Sequence, residues 1–105
     1  MKRLALALFS SIPLAAFAQA ELKSNELEGM RHFNQSCRVC HTKPQMTSPQ
    51  YAPVLSRVSL GGSNEALKIF IANGTPKMPG FKYHFKPAEI DAIVSYLKTI
   101  PQPQD

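Results

Sequence analysis

From residue 21 onward, apolar positions recur with a helical period in three places, and no stretch alternates with the two-residue period of a strand. The first place is "SNELEGMRHFNQSC", where Leu27, Met30, Phe33 and Cys37 form one row. Asn25 is the expected cap, with Glu28 three residues on as its capping-box partner. Gly29 interrupts this helix at a cost of roughly 1 kcal/mol relative to Ala, which implies that another segment approaches closely there. The second place is "SNEALKIFIANG". Ser63 or Asn64 caps it, Leu67, Phe70 and Ile71 form its apolar face, and Gly74 stands just past its end. The third is "KPAEIDAIVSYLKTIP", with Pro87 in the first turn, a stripe of Ile90, Ile93, Val94 and Leu97, Tyr96 beside it, and Pro101 as its stop. The predicted fold is all-α, three main helices with long loops.

Residues 42–62 carry Pro44, Pro49, Pro53, Gly61 and Gly62, so this segment reads as loop with a short helical turn near Val54 to Val58. A loop that long in a small domain usually wraps around something. The segment "TPKMPGFKYHF" is a second loop, stiffened by Pro76 and Pro79.

The first twenty residues have a different character. Lys2 and Arg3 precede an apolar run, and Ala16-Phe17-Ala18 and Ala18-Gln19-Ala20 form overlapping small-x-small cleavage sites. Residues 1–20 therefore read as a secretory signal peptide, and residues 21–105 as one domain. Ser10, Ser11 and Pro13 break the apolar run, which falls short of the ~20 residues a membrane span needs. Without its two leader cations the net charge drops from +5 to +3, and no aromatic-basic interleaving suggests a nucleic-acid surface. The 85 residues that remain make a domain small enough to need a staple such as a metal or cofactor.

The chain's two cysteines stand in "QSCRVCHTKP", as Cys37 and Cys40 followed directly by His41. A disulfide between thiols so close together closes almost no loop and stabilises little. Structural zinc requires a second pair of ligands, and His32 and His84 are isolated from each other. A redox dithiol belongs at a helix N-terminus beside a βαβ unit, whereas these cysteines lie near a helix C-terminus with no strand before them. A haem accounts for more. Cys-x-x-Cys spacing lets each thiol add to one vinyl group, and the adjacent histidine then becomes the proximal iron ligand. Export, inferred from the leader, is where such attachment occurs.

A sixth iron ligand is then needed for electron transfer. Met30 lies on the first helix's apolar row, and Met46 follows His41 too closely to reach the opposite haem face. Met78, in "TPKMPG", sits where no helix face requires it and is the expected ligand. His84, water or an open position are the alternatives, and these would point to gas binding or peroxide chemistry. His32 and His84 read as surface or hydrogen-bonding residues.

The chain resembles the small single-haem class I bacterial cytochromes c from Asn25 to Ile100. The resemblance rests on "GMRHFNQSCRVCH", "YAPVL", "ANGTPKMPGF" and "EIDAIVSYLKTI". It implies a cytochrome c fold wrapped round one haem c, thioether-linked through Cys37 and Cys40, with Gly29 and Phe33 facing Tyr96 and Leu97 where the first and last helices cross. It further implies that the Pro53 carbonyl accepts the proximal histidine's Nδ1–H and that Phe81 lies beside the axial methionine. No tryptophan stands near the propionates, for which Arg57 and Tyr51 are the candidates. The expected function is a periplasmic one-electron carrier between a dehydrogenase, such as a quinoprotein, or a quinol-oxidising complex and a terminal oxidase. With His41 and Met78 both on iron, no position is left for substrate, so a carrier is expected and not an enzyme. The alternative is a haem enzyme or a gas or redox sensor with a labile sixth position. Arg38, Lys43, Lys77 and Lys82 are expected to border the haem edge as a weak basic ring.

Overall fold

The computed structural model describes residues 21–42 and 50–102. Residues 1–20, expected to be a leader, and Lys43, Pro44, Met46 and Pro49 lie outside the described residues. The chain runs through α1 (Ser24–Ser36), a single turn α2 (Arg38–His41), a 3₁₀ turn (Ser59–Gly62), α3 (Asn64–Asn73) and α4 (Pro87–Leu97). No strand occurs among the described residues, and Thr75 and Met78 form one isolated bridge.

The start of α1 differs from expectation. Lys23, not Asn25, occupies the cap, and its N–H donates to the Glu26 carboxylate at 2.8 Å. An acidic side chain within the first turn satisfies an orphan donor and complements the helix dipole, so the helix starts earlier than its Asn suggests. For α3 the expectation holds: the Ser63 hydroxyl accepts the Ala66 N–H at 3.2 Å, and Gly74 follows at φ 70°, a left-handed value that glycine adopts freely. Pro87 occupies the first turn of α4. That helix ends at Leu97, ahead of Pro101, in a turn where the Thr99 hydroxyl donates to the Tyr96 carbonyl at 2.7 Å. The short helical turn falls at Ser59–Gly62 instead of Val54 to Val58. Leu60, Gly61 and Gly62 there all have positive φ, which the two glycines accommodate without Cβ strain.

The core lies where α1 and α4 pack together. Phe33, Cys37, Leu67, Ile71, Phe85, Ile90, Ile93, Val94 and Leu97 form one buried cluster. Burying each large aliphatic side chain contributes about 1.5–3 kcal/mol, so this cluster supplies the main favourable term. Gly29 is buried at the crossing, and a Cβ on it would overlap the Ala92 carbonyl and lie 2.9 Å from the Ile93 nitrogen. Gly29 therefore meets Ala92 and Ile93, one turn before the expected Tyr96 and Leu97. The Phe33 and Tyr96 rings do meet, with centroids 5.5 Å apart. At the surface, Lys68 of α3 pairs with Asp91 of α4 at 3.2 Å, and that hydrogen bond raises the lysine's pKa.

Candidate functional site

Beside this core lies an apolar cavity of about 400 Å³, walled by the end of α1, α2, the loop that follows it, the 3₁₀ turn, α3, the loop after α3 and Leu97 at the end of α4. Ser36, Cys37, Val39, Cys40 and His41 form one side, at the junction of α1 and α2. Cys37 ends α1, and its carbonyl accepts the N–H groups of both Cys40 and His41, at 3.2 and 3.1 Å. The backbone thus turns once between the two thiols, which is how a three-residue spacing brings them and the histidine to one wall. Both cysteines are free thiols, Cys37 buried and Cys40 partly so. Burial, with Cys40 alongside, pushes the Cys37 thiol up to about 11. A redox dithiol needs the opposite shift, toward a reactive thiolate, so the environment of Cys37 argues against that chemistry.

His41 is buried, and its Nδ1 lies 2.7 Å from the Pro53 carbonyl oxygen. Nδ1 donates in this contact, because a carbonyl can only accept. Nε2 then carries the lone pair and is the ring's available ligand atom.

The opposite wall comes from the loop after α3. Thr75 and Met78 exchange backbone hydrogen bonds at 2.8 and 3.1 Å around Pro76 and Lys77, which makes a tight turn with proline in its favoured second place. Phe81 and Lys82 then bond back to the Ile71 and Ala72 carbonyls of α3 at 2.9 and 3.1 Å. A Cβ on Gly80 would fall 2.7 Å from the Asn73 carbonyl oxygen, so only glycine lets this loop lie flat on α3. The result holds Met78, Pro79 and Phe81 on the cavity wall. Met30 does not line the cavity.

Several lining residues take a place that the sequence did not indicate. The Tyr51 hydroxyl donates to the Lys77 carbonyl at 2.9 Å, tying the loop after α2 to the Met78 turn. Arg57, the other propionate candidate, is exposed and off the cavity, and its backbone N–H donates to the Ile100 carbonyl at 2.9 Å. Leu60, at φ 51° and ψ 41°, lines the cavity from the 3₁₀ turn. A left-handed leucine costs about 1–2 kcal/mol, and such strain gathers at binding sites. Phe70, expected on the core face of α3, lines the cavity and stays 42% exposed. The following Gly-Gly was the only sequence signal for Leu60, and Tyr51 was singled out as a propionate candidate, not as a tie to the Met78 turn.

Residues 24–97 match the family model described as cytochrome c oxidase, cbb3-type, subunit III. The chain belongs to this cytochrome c family. It is 29% identical over 86 residues to cytochrome c6 of a Nostoc species, an alignment covering 78% of this chain and 77% of the relative. A solved structure of a Kustc0563 mutant superposes with a TM-score of 0.52 at 27% identity, covering 69% of this chain and 96% of that one. The architecture is thus the all-α cytochrome c fold, and the protein is a haem c electron carrier of that family, working with redox protein partners.

The cavity suits that group. Two thiols, a buried histidine whose remaining nitrogen is free to ligate, and a thioether share one pocket otherwise lined mainly by aliphatic and aromatic side chains. Apolar lining raises the energetic penalty on the more highly charged oxidation state and excludes water.

Proposed function

We propose that the protein is an exported, soluble one-electron carrier in which Cys37 and Cys40 hold haem c by thioether bonds and His41 and Met78 are its axial ligands. The observation that carries this reading is the convergence of all four residues on one apolar cavity, with His41 oriented by the Pro53 carbonyl. Haem c supplies a one-electron ferric/ferrous couple. The chain's own residues set how that couple behaves. Pro53 fixes the imidazole ring and, by accepting a hydrogen bond from its Nδ1–H, makes Nε2 a stronger donor. The turn at Thr75 and Met78 presents the soft thioether sulfur, which favours the reduced state. Leu67, Phe70, Ile71 and Leu97 keep water out. Because His41 and Met78 both come from hydrogen-bonded turns, little rearrangement accompanies electron gain or loss, as a carrier requires.

The leader at residues 1–20 supports export to the periplasm, and no helix among the described residues is long and apolar enough to cross a membrane. The family's namesake is subunit III of a cbb3-type cytochrome c oxidase, which supports an oxidase as electron acceptor. A periplasmic dehydrogenase, such as a quinoprotein, or a quinol-oxidising complex is the corresponding donor.

The test is the intact mass and the oxidised and reduced visible spectra of the mature protein, made in a host that attaches haem c. One covalent haem and a ferric iron–sulfur charge-transfer band are expected. A covalent haem with a high-spin spectrum that shifts under carbon monoxide would instead identify an enzyme or sensor. Apoprotein mass with reversible thiol oxidation would overturn the haem reading.

A further inference from the structure

A second group of ligating side chains lies away from the cavity. Glu28 and His32 are one turn apart on α1, and Glu89 reaches them from the first turn of α4. His32 Nε2 lies 3.5 Å from Glu28 Oε1 and 3.2 Å from Glu89 Oε2, and the three donor atoms all fall within 4.8 Å of one another. None of the three residues lines the cavity.

We propose that Glu28, His32 and Glu89 form a binding site for a divalent transition cation of the zinc type, bridging α1 and α4. Two ligands at ~2.0 Å from a tetrahedral ion stand ~3.3 Å apart, and both histidine–carboxylate separations are within a few tenths of that. The histidine nitrogen is the second observation. Nε2 is buried at the atomic level and makes no hydrogen bond, although two carboxylate oxygens face it. A buried donor atom without a partner is costly, and a cation between it and the two oxygens would satisfy all three.

The ligands are also held in advance. The other oxygen of Glu89, Oε1, accepts the Lys86 N–H at 2.8 Å, which turns Oε2 toward His32. The His32 ring packs edge-on against buried Phe85, with centroids 4.9 Å apart. Such contacts orient ligands in metal sites generally. One imidazole with two carboxylates selects zinc, copper or nickel over magnesium and calcium, which prefer oxygen alone. Glu28 is half-exposed, so the fourth position opens to solvent. Bound there, the ion would pin the two helices whose crossing forms the core.

The test titrates Zn²⁺ into the haem-loaded protein at pH 7.5 by calorimetry, followed by thermal unfolding with and without the ion. One zinc per chain is expected, with a rise in Tm. Glu28→Gln should weaken binding about tenfold or more, and His32→Gln should abolish both binding and the Tm rise while leaving the visible spectrum unchanged. His84→Gln should change nothing. The proposal is overturned if His32→Gln and Glu28→Gln bind zinc as the wild type does, or if no one-to-one binding appears below millimolar zinc. Should His32→Gln fail to fold, the exposed Glu28→Gln change decides alone.

Discussion

His41 and Pro53 are joined across twelve residues by a 2.7 Å hydrogen bond from the ring Nδ1 to the main-chain carbonyl. Because the acceptor is backbone, no side-chain change removes it, but the rigid φ of proline determines where that carbonyl points. Pro53→Gly should loosen the contact and make His41 a poorer electron donor to iron. A poorer donor stabilises the ferric state less, so the reduction potential should rise, by roughly tens of millivolts within the ~0.8 V that iron ligation commands. Spectroelectrochemistry measures this; an unchanged or lower potential would show that the bond does not tune the iron.

Met78, the proposed second iron ligand, is the other lever. Met78→Ala should abolish the ferric charge-transfer band, admit carbon monoxide to ferrous iron and lower the potential by a substantial part of that ~0.8 V range. Persistence of the band would mean that another group is the ligand.

The Tyr51–Lys77 contact braces the turn that carries Met78. Tyr51→Phe removes a neutral, exposed hydrogen bond worth about 0.5–1.5 kcal/mol at most. Global stability should therefore move little. Local opening should move more, and is read as a several-fold faster displacement of Met78 by added imidazole. Equal rates in the two proteins would rule out the bracing role.

Helix propensity and packing give opposite signs for Gly29→Ala. Propensity favours alanine by about 1 kcal/mol. The new methyl, however, would overlap the Ala92 carbonyl, and backbone cannot step aside as a flexible side chain can. Overpacking of this kind costs about 1–3 kcal/mol or more, so the net effect should be destabilising. A fall in Tm of roughly 5–10 °C is expected from thermal melts of the haem-loaded protein. A rise would mean that the helices separate at no cost.

Arg38, Lys77 and Lys82 are exposed, and Lys77 lies on the cavity wall. If they steer docking, electron transfer to an acidic partner should slow a few-fold to roughly tenfold between low salt and ~0.2 M, where screening shortens to about 8 Å. A rate independent of salt removes them from the docking surface.

How much of this could be read from the sequence depended on how local each feature was. The helical rows of Phe33 with Cys37 and of Ile90, Ile93, Val94 and Leu97 are buried as read, since periodicity reflects one helix against one core. Gly29 signalled a close approach correctly, but its partners Ala92 and Ile93 depend on where two helices cross. The α1 cap moved to Lys23 because the Glu26 carboxylate, and not the asparagine, supplies the acceptor. His32 read as a surface or hydrogen-bonding residue. Instead it is mostly covered, its Nε2 without a hydrogen bond, because α4 brings Glu89 and Phe85 against it.

The sequence alone determined the cofactor class and the helices, because thiol spacing, an adjacent histidine and apolar periodicity are all short-range properties. Only the tertiary structure decided what surrounds that chemistry. It turned the His41 ring with a carbonyl twelve residues away, closed the Met78 loop onto α3, held Leu60 and Phe70 at the cavity wall, and set Glu89 opposite His32. Each of these is a contact between segments distant in the chain. Their geometry follows from how α1, α3 and α4 share one small core, which no single stretch of residues encodes.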